Sequence, residues 1–189
     1  MKLILASASP RRAELLQQMG LKFDIKAVDI DETVLPNEEP EAYVRRLALD
    51  KARESKALLK ASDCLVLGSD TAVVVDGEIF GKPESKEHAL DMLRHLSGRT
   101  HTVLTSVAII GEKESCTVCK NEVSFAPISE QQLEWYWESG EPVGKAGAYG
   151  IQGKAAIFIH RLEGSFSAVM GLPIYETAQL LEQHGFSFD

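Results

Sequence analysis

The chain has 189 residues, of which 44% are hydrophobic and 25% charged, and its formal net charge is −8. This is the size and balance of one soluble domain, expected over residues 1–189, with a sizeable core. The composition excludes a membrane span and a polyanion-binding surface, so neither membrane nor nucleic acid is an expected partner.

The start, Met1-Lys2-Leu3-Ile4-Leu5-Ala6, is too short and too quickly polar for a secretory signal. Three cysteines, an odd number, do not read as a disulfide framework, so the reducing cytoplasm is the expected compartment. Leu3-Ile4-Leu5-Ala6 reads as a short buried strand, broken by Ser7-Ala8-Ser9-Pro10. Ser9 suits a helix N-cap and Pro10 the first helical position; Leu15, Leu16 and Met19 follow at helical spacing, and Gly20 is a stop. Phe23 to Val28 reads as a second strand, followed by an acidic loop through Asp29, Asp31, Glu32, Pro36 and Glu38.

From Pro40 to about Lys60 the spacing predicts a long amphipathic helix with Tyr43, Val44, Leu47, Ala48 and Ala52 on its apolar stripe. Cys64 to Gly68 is an apolar strand expected to end at Ser69-Asp70-Thr71. Ala72–Val75 and Glu78–Phe80 around Asp76-Gly77 read as a hairpin. A helix over Lys86–Leu96, strands over Thr102–Ile110 and Thr117–Phe125, and a helix over Ser129–Trp137 with a Ser129/Gln132 capping box follow. A strand over Ile157–Leu162 and a helix over Pro173–His184 complete the expectation, an α/β fold with a mixed sheet.

Five places carry chemistry. Ser7-Ala8-Ser9-Pro10-Arg11-Arg12 puts two cations in a first helical turn, where they oppose the macrodipole at a cost of roughly 0.3–1 kcal/mol each. A phosphate on the free N–H groups, Ser7, Ser9 and the guanidinium groups reverses that balance; an exposed helix start pairing with surface acids is the plainer alternative. Asp70, at an expected strand end, suits a metal ligand or a general base, and equally a turn aspartate.

Asp29, Asp31 and Glu32 crowd carboxylates as Mg²⁺ or Mn²⁺ ligands do, or form a solvated acidic loop. Lys51 sits on the long helix, where it is a phosphate partner or surface charge; Lys82 sits in the constrained segment Gly81-Lys82-Pro83. Gly77 to Lys82 has one spacer too few for a Walker loop, and proline stands where the hydroxyl belongs. Lys145 to Gly153 is glycine-rich, and Gln152 offers a donor and an acceptor for a base edge; a flexible surface loop is the alternative. Cys116 and Cys119 have metal-like spacing but lack a second pair, and on a strand they face opposite ways.

Taken in order, Leu5-Ala6-Ser7-x-Ser9-Pro10-Arg11-Arg12, Asp31-Glu32, Arg46-Leu47-Ala48-x-x-Lys51-Ala52, Gly68-Ser69-Asp70-Thr71, Gly81-Lys82-Pro83, Leu96-Ser97-Gly98-Arg99-Thr100-His101, Ala146-Gly147-x-Tyr149-x-Ile151-Gln152-Gly153 and Gly171-Leu172-Pro173 resemble the Maf family along nearly the whole chain. That resemblance implies a nucleoside triphosphate pyrophosphatase, which cleaves between the α- and β-phosphates with a divalent metal (Mg²⁺, Mn²⁺ or Co²⁺). It also implies an elongated inosine triphosphatase-like fold with a cleft between two lobes, and commonly a homodimer.

Tyr149-Gly150-Ile151-Gln152-Gly153 is similar to the subfamily that prefers dTTP and UTP. Modified pyrimidine nucleotides are further expected substrates. The resemblance associates Arg11, Thr71 and Gln152 with specificity and Asp70 with catalysis. It fits Ser7, Ser9, Arg11, Arg12, Lys51 and Lys82 around a triphosphate, with Glu32 and Asp70 holding the metal or orienting water. Two rivals stand beside it. Asp29-Ile30-Asp31-Glu32-Thr33 matches the Asp-x-Asp-x-Thr motif of haloacid-dehalogenase-like phosphatases. The other rival is a non-catalytic nucleotide-binding regulator of cell division.

Overall fold

Three parallel strands open the fold. A computed structural model describes residues 1–59 and 63–188. β1 (Lys2–Leu5) buries Leu3, Ile4 and Leu5 almost completely, the pattern of a strand covered on both faces. It pairs in parallel with β2 (Phe23–Ile25) on one side and with the start of β3 (Cys64–Val75) on the other. The helices α1 (Pro10–Gln18) and α2 (Pro40–Ala57) connect them, each with proline in its first turn. The expected end of α2 at Lys60 lies outside the described residues.

The remaining elements are β4 (Glu78–Phe80), α3 (Lys86–Leu96), β5 (Thr100–Ile110), β6 (Glu114–Phe125), α4 (Glu130–Glu138), β7 (Ile159–Glu163), α5 (Phe166–Met170) and α6 (Ile174–Gln183). Among the described residues seven strands form one mixed sheet in the order β2-β1-β3-β5-β6-β7, with β4 paired to β3. The hairpin of β3 and β4 turns at Asp76 (φ 52°) and Gly77 (φ 85°), the two left-handed positions of a type I′ turn. α4 starts on the expected capping box of Ser129 and Gln132. No helix among the described residues is long and apolar enough to cross a membrane.

Three expectations change. The chain does not break at Ser69-Asp70-Thr71: β3 runs unbroken for 12 residues, and Asp70 lies inside it. Gly68 is there for close packing rather than for a turn, and Thr71 to Val75 continue as good strand formers. β2 stops at Ile25 rather than Val28; Lys26 N–H still bonds to the carbonyl of Leu5, 2.9 Å away, before the chain leaves the sheet. Residues Lys154–Phe158 form a 3₁₀ turn where a strand was expected to begin, because Glu141 captures the N–H groups of Lys154 and Ala155.

The chain folds as two compact units: residues 1–70, 105–119 and 171–189, and residues 71–104 and 120–170. In the first, Ile4, Ala6, Ala52, Cys64, Val66 and Ile110 form one apolar cluster. In the second, Leu93, Leu96, Val103, Phe125, Leu133, Tyr136, Tyr149 and Phe158 belong to one core. Among the described residues Cys64, Cys116 and Cys119 form no disulfide; the Cys119 thiol is pushed up to about 12, by burial first and then by Glu176.

Candidate active site

Parallel pairing brings the carboxyl ends of β1 and β2 level with Leu67 of β3, where β1 and β2 stop and β3 runs on. Leu5 pairs with Leu67, and the ladder closes with Ala6 N–H on the Leu67 carbonyl at 2.8 Å. The Ser7–Arg12 turn therefore leaves β1 where Gly68, Ser69 and Asp70 continue β3. Open α/β sheets build their sites at such an edge. Asp70 lies between the stretch of β3 paired with β1 and the stretch paired with β4.

Lys51 is not a surface charge. Its ammonium lies 2.7 Å from Asp70 Oδ1 and 2.7 Å from Glu32 Oε1, and its side chain is only 12% exposed. Small residues make this approach possible: α2 turns Ala48 and Ala52 onto β3 at Gly68, where a Cβ would meet the Ala48 carbonyl at 2.1 Å. Burial raises the carboxyl of Asp70 above its ordinary range, and Lys51 and Arg12 pull it back in part. The result is a buried carboxylate held ionised by cations, yet more basic than an exposed one.

Glu32 is carried by a segment tied to α2. Arg46 makes a bidentate pair with Glu38 (2.6 and 2.8 Å) and donates to the Thr33 carbonyl at 3.0 Å. The Tyr43 hydroxyl donates to the Glu32 carbonyl at 3.0 Å, and its phenol is pushed up to about 12, by burial first and then by Asp70 and Glu32. Arg46 and Tyr43 were not singled out as site residues from the sequence; only the Arg46-Leu47-Ala48 motif hinted at the first. Asp31 is exposed and accepts from Thr33 N–H in a local turn, and Asp29 is exposed beyond the end of β2. Neither has the strand-end setting that a haloacid-dehalogenase-like nucleophile needs.

The Ser7–Arg12 turn is braced against the segment at Gly171. Arg12 Nε donates to the Gly171 carbonyl at 2.8 Å and Nη1 to Ser7 Oγ at 3.1 Å. Ser69 Oγ donates to the same carbonyl at 3.0 Å, so Gly171 ties the turn to β3. Ser9 is the N-cap residue of α1 but makes no side-chain cap, and no acid stands in the first turn. Arg11 and Arg12 are both partly buried there.

In the second unit, Thr71 follows Asp70 on β3, partly buried. Lys82 is exposed beside a groove of about 410 Å³ that also carries Glu78, Glu84, His88, Asp91 and His95, so the groove itself is not an anion trap. Gln152 is exposed between buried Ile151 and partly buried Gly153. The segment around it is not a loose loop: Tyr149, Gly150 and Ile151 are buried.

Among the described residues no three His, Cys, Asp or Glu side chains converge as a metal cage. Glu32 and Asp70 nevertheless suit a hard divalent cation, since two carboxylate oxygens already gather around one positive charge. Mg²⁺ is commonly held by one or two carboxylates, with substrate phosphates and water completing its shell.

The model of the family described as Maf-like protein matches residues 2–184. A dTTP/UTP pyrophosphatase of Hydrogenovibrio crunogenus is 50% identical over 98% of this chain and 97% of its own length. Proteins of the same name from Vibrio parahaemolyticus (48% identical, covering 97% of each chain) and Acinetobacter baylyi (49% identical, covering 95% of this chain and 97% of the other) are similar over comparable lengths. Among solved structures, a HAM1 protein from Coxiella burnetii shares the fold with a TM-score of 0.54 at 15% identity, covering 97% of this chain and 99% of the other. The Staphylococcus aureus Ham1 protein does so with a TM-score of 0.53 at 16% identity, covering 97% and 100%. From the match over residues 2–184 and the identity to these relatives along nearly the whole chain, this chain belongs to the Maf-like protein family.

Proposed function

We propose that this chain hydrolyses nucleoside triphosphates to a nucleoside monophosphate and pyrophosphate, with dTTP and UTP as favoured substrates. The observation that carries the reading is the Lys51 ammonium, 2.7 Å from both Glu32 and Asp70 at the edge where the Ser7–Arg12 turn leaves the sheet. It has a basic carboxylate, a second carboxylate and a cluster of cations, which is the equipment for water attack on a phosphoanhydride. The relatives named dTTP/UTP pyrophosphatase supply the substrate class.

In this reading Asp70 accepts a proton from water as the water oxygen bonds to the α-phosphorus. The bond from that phosphorus to the bridging oxygen breaks, and pyrophosphate leaves. Ser7, Ser9, Arg11 and Arg12 hold phosphate oxygens by hydroxyl and guanidinium donors, and Lys51 and Lys82 offset the negative charge. Glu32 and Asp70 would hold a divalent metal, which when bound supplies charge stabilisation for the leaving oxygen. Thr71 and Gln152 select the nucleotide, Gln152 through the donor and acceptor of its amide. Three cysteines, an odd number outside any disulfide, favour a reducing, cytoplasmic setting.

The test is product analysis on a panel of common and modified nucleoside triphosphates with Mg²⁺, Mn²⁺ or Co²⁺. Monophosphate and pyrophosphate in equal amounts, fastest from dTTP and UTP, are expected. Orthophosphate as the product would point to a phosphatase, and tight binding without turnover to a regulator.

A further inference from the structure

The segment that carries Gln152 is clamped by Tyr136 and Glu141, which are outside the set proposed to hold phosphate or metal. Gly150 N–H donates to the Tyr136 hydroxyl at 3.3 Å, and that hydroxyl donates to Glu141 Oε1 at 2.8 Å. The other carboxylate oxygen, Oε2, accepts from Lys154 N–H at 2.8 Å, and Oε1 also receives Ala155 N–H at 3.4 Å. One carboxylate thus holds one flank of Ile151-Gln152-Gly153 directly and the other through the Tyr136 hydroxyl, and Gly153 N–H closes the turn on the Gly150 carbonyl at 3.1 Å.

The carboxylate packs closely against Gly153. A Cβ on Gly153 would stand 2.3–2.4 Å from its three atoms, so the glycine makes room for it. Tyr136 is fully buried, its ring edge-on to Phe158 with centroids 5.7 Å apart. Burial and then Glu141 hold the phenol well above its ordinary range, so its proton stays in the relay. On the preceding side, the buried Tyr149 hydroxyl meets His101 Nε2 at 2.8 Å.

An amide discriminates between base edges only when its donor and acceptor are fixed in place. We infer that Glu141 and Tyr136 are positioning residues for nucleobase selection: their relay fixes the backbone on both sides of Gln152. The inference rests on the reading that Gln152 contacts the base of a pyrimidine nucleoside triphosphate.

The experiment compares the wild type with Tyr136→Phe, Glu141→Gln, Gln152→Ala and the double variant Tyr136→Phe/Gln152→Ala. It measures kcat and KM for UTP and for GTP, with the melting temperature recorded for each. Tyr136→Phe and Glu141→Gln should raise KM for UTP about 10-fold, the worth of about one hydrogen bond, with kcat within about 3-fold of the wild type. The preference for UTP over GTP should fall by a similar factor. In the Gln152→Ala background, Tyr136→Phe should add almost nothing, because the two act through one contact.

An unchanged preference in a folded Tyr136→Phe or Glu141→Gln, beside a reduced one in Gln152→Ala, overturns the relay alone. So do equal losses for both nucleotides, or additive losses in the double variant. An unchanged preference in Gln152→Ala, or no pyrophosphate from the wild type, removes the underlying reading and this inference with it. Should Tyr136→Phe fail to fold, Glu141→Gln, at a partly exposed position, carries the same readout.

Discussion

Gly68 lies against the backbone of Ala48 so closely that a Cβ on it would stand 2.1 Å from the Ala48 carbonyl oxygen and 2.9 Å from the amide nitrogen of Ala52. Both partners are backbone atoms of α2, so no rotamer change relieves the contact. The same close approach is what brings Lys51, one turn further along, onto Asp70.

Gly68→Ala should therefore cost both stability and activity. Either α2 is pushed outward or the sheet bends, at about 3 kcal/mol or more, the upper end of overpacking costs. Urea denaturation should show the loss, and kcat should fall in the fraction that remains folded because Lys51 retreats from Asp70.

Lys51→Met removes the cation shared by Glu32 and Asp70. It is expected to lower kcat/KM by about 100-fold or more, as loss of one strong electrostatic donor does. Lys51 lowers the pKa of Asp70, so its removal raises that pKa further. With Asp70 as the base, activity needs it ionised, and the acidic limb of the pH–rate profile should move to higher pH. A profile that stays in place would remove Asp70 from that role.

Chelation should reduce turnover by two orders of magnitude or more, consistent with the several kcal/mol that a bound divalent ion supplies. Adding back Mg²⁺, Mn²⁺ or Co²⁺ should restore it. Glu32→Gln should raise the metal concentration required for half-maximal rate, read from a metal titration at saturating nucleotide.

His101 should make stability fall on acidification. Burial holds its imidazole at about 4 in the folded protein, against an ordinary value of 6.5. Between those values the unfolded chain binds the proton and the folded one does not, so stability drops as pH falls from about 6.5 to about 4. The loss is up to roughly 3 kcal/mol. In His101→Gln that part of the slope should vanish from urea midpoints measured across the same range.

Arg46 holds Glu38 at about 2, below its ordinary 4.5. The stabilisation from this pair is present above about 4.5 and lost as pH falls through about 2. Arg46→Ala should remove it and release the segment bearing Glu32. A drop of about 10-fold in kcat, with KM for nucleotide changed less, is the expected kinetic signature.

The chemistry-bearing motifs were legible because they are local. Ser7-Ala8-Ser9-Pro10-Arg11-Arg12 announces a helix start with its charges reversed, and the turn residues Asp76-Gly77 announce their hairpin. Asp70 was singled out on a mistaken premise, as a strand end, and is instead inside β3. Glu141, an isolated acid before a proline, gave no signal at all. Tyr136 lay inside the expected helix over Ser129–Trp137 with nothing to mark it, and His101 entered as the last residue of the Leu96–His101 motif.

What the sequence determined by itself is what neighbouring residues decide among themselves. The capping box of Ser129 and Gln132, the proline-led starts of α1 and α2, and the order of motifs that marks the family all depend on contacts or identities within a few positions. Only the tertiary structure decided the state of Lys51, which meets Asp70 across 19 positions of chain, and of Glu141, which meets Lys154 across 13. The reason is physical. A charged side chain is read as surface by default, since burial costs it solvation. Whether a partner offsets that cost is fixed by how closely two backbones can approach, which here turns on the missing side chains of Gly68 and Gly153.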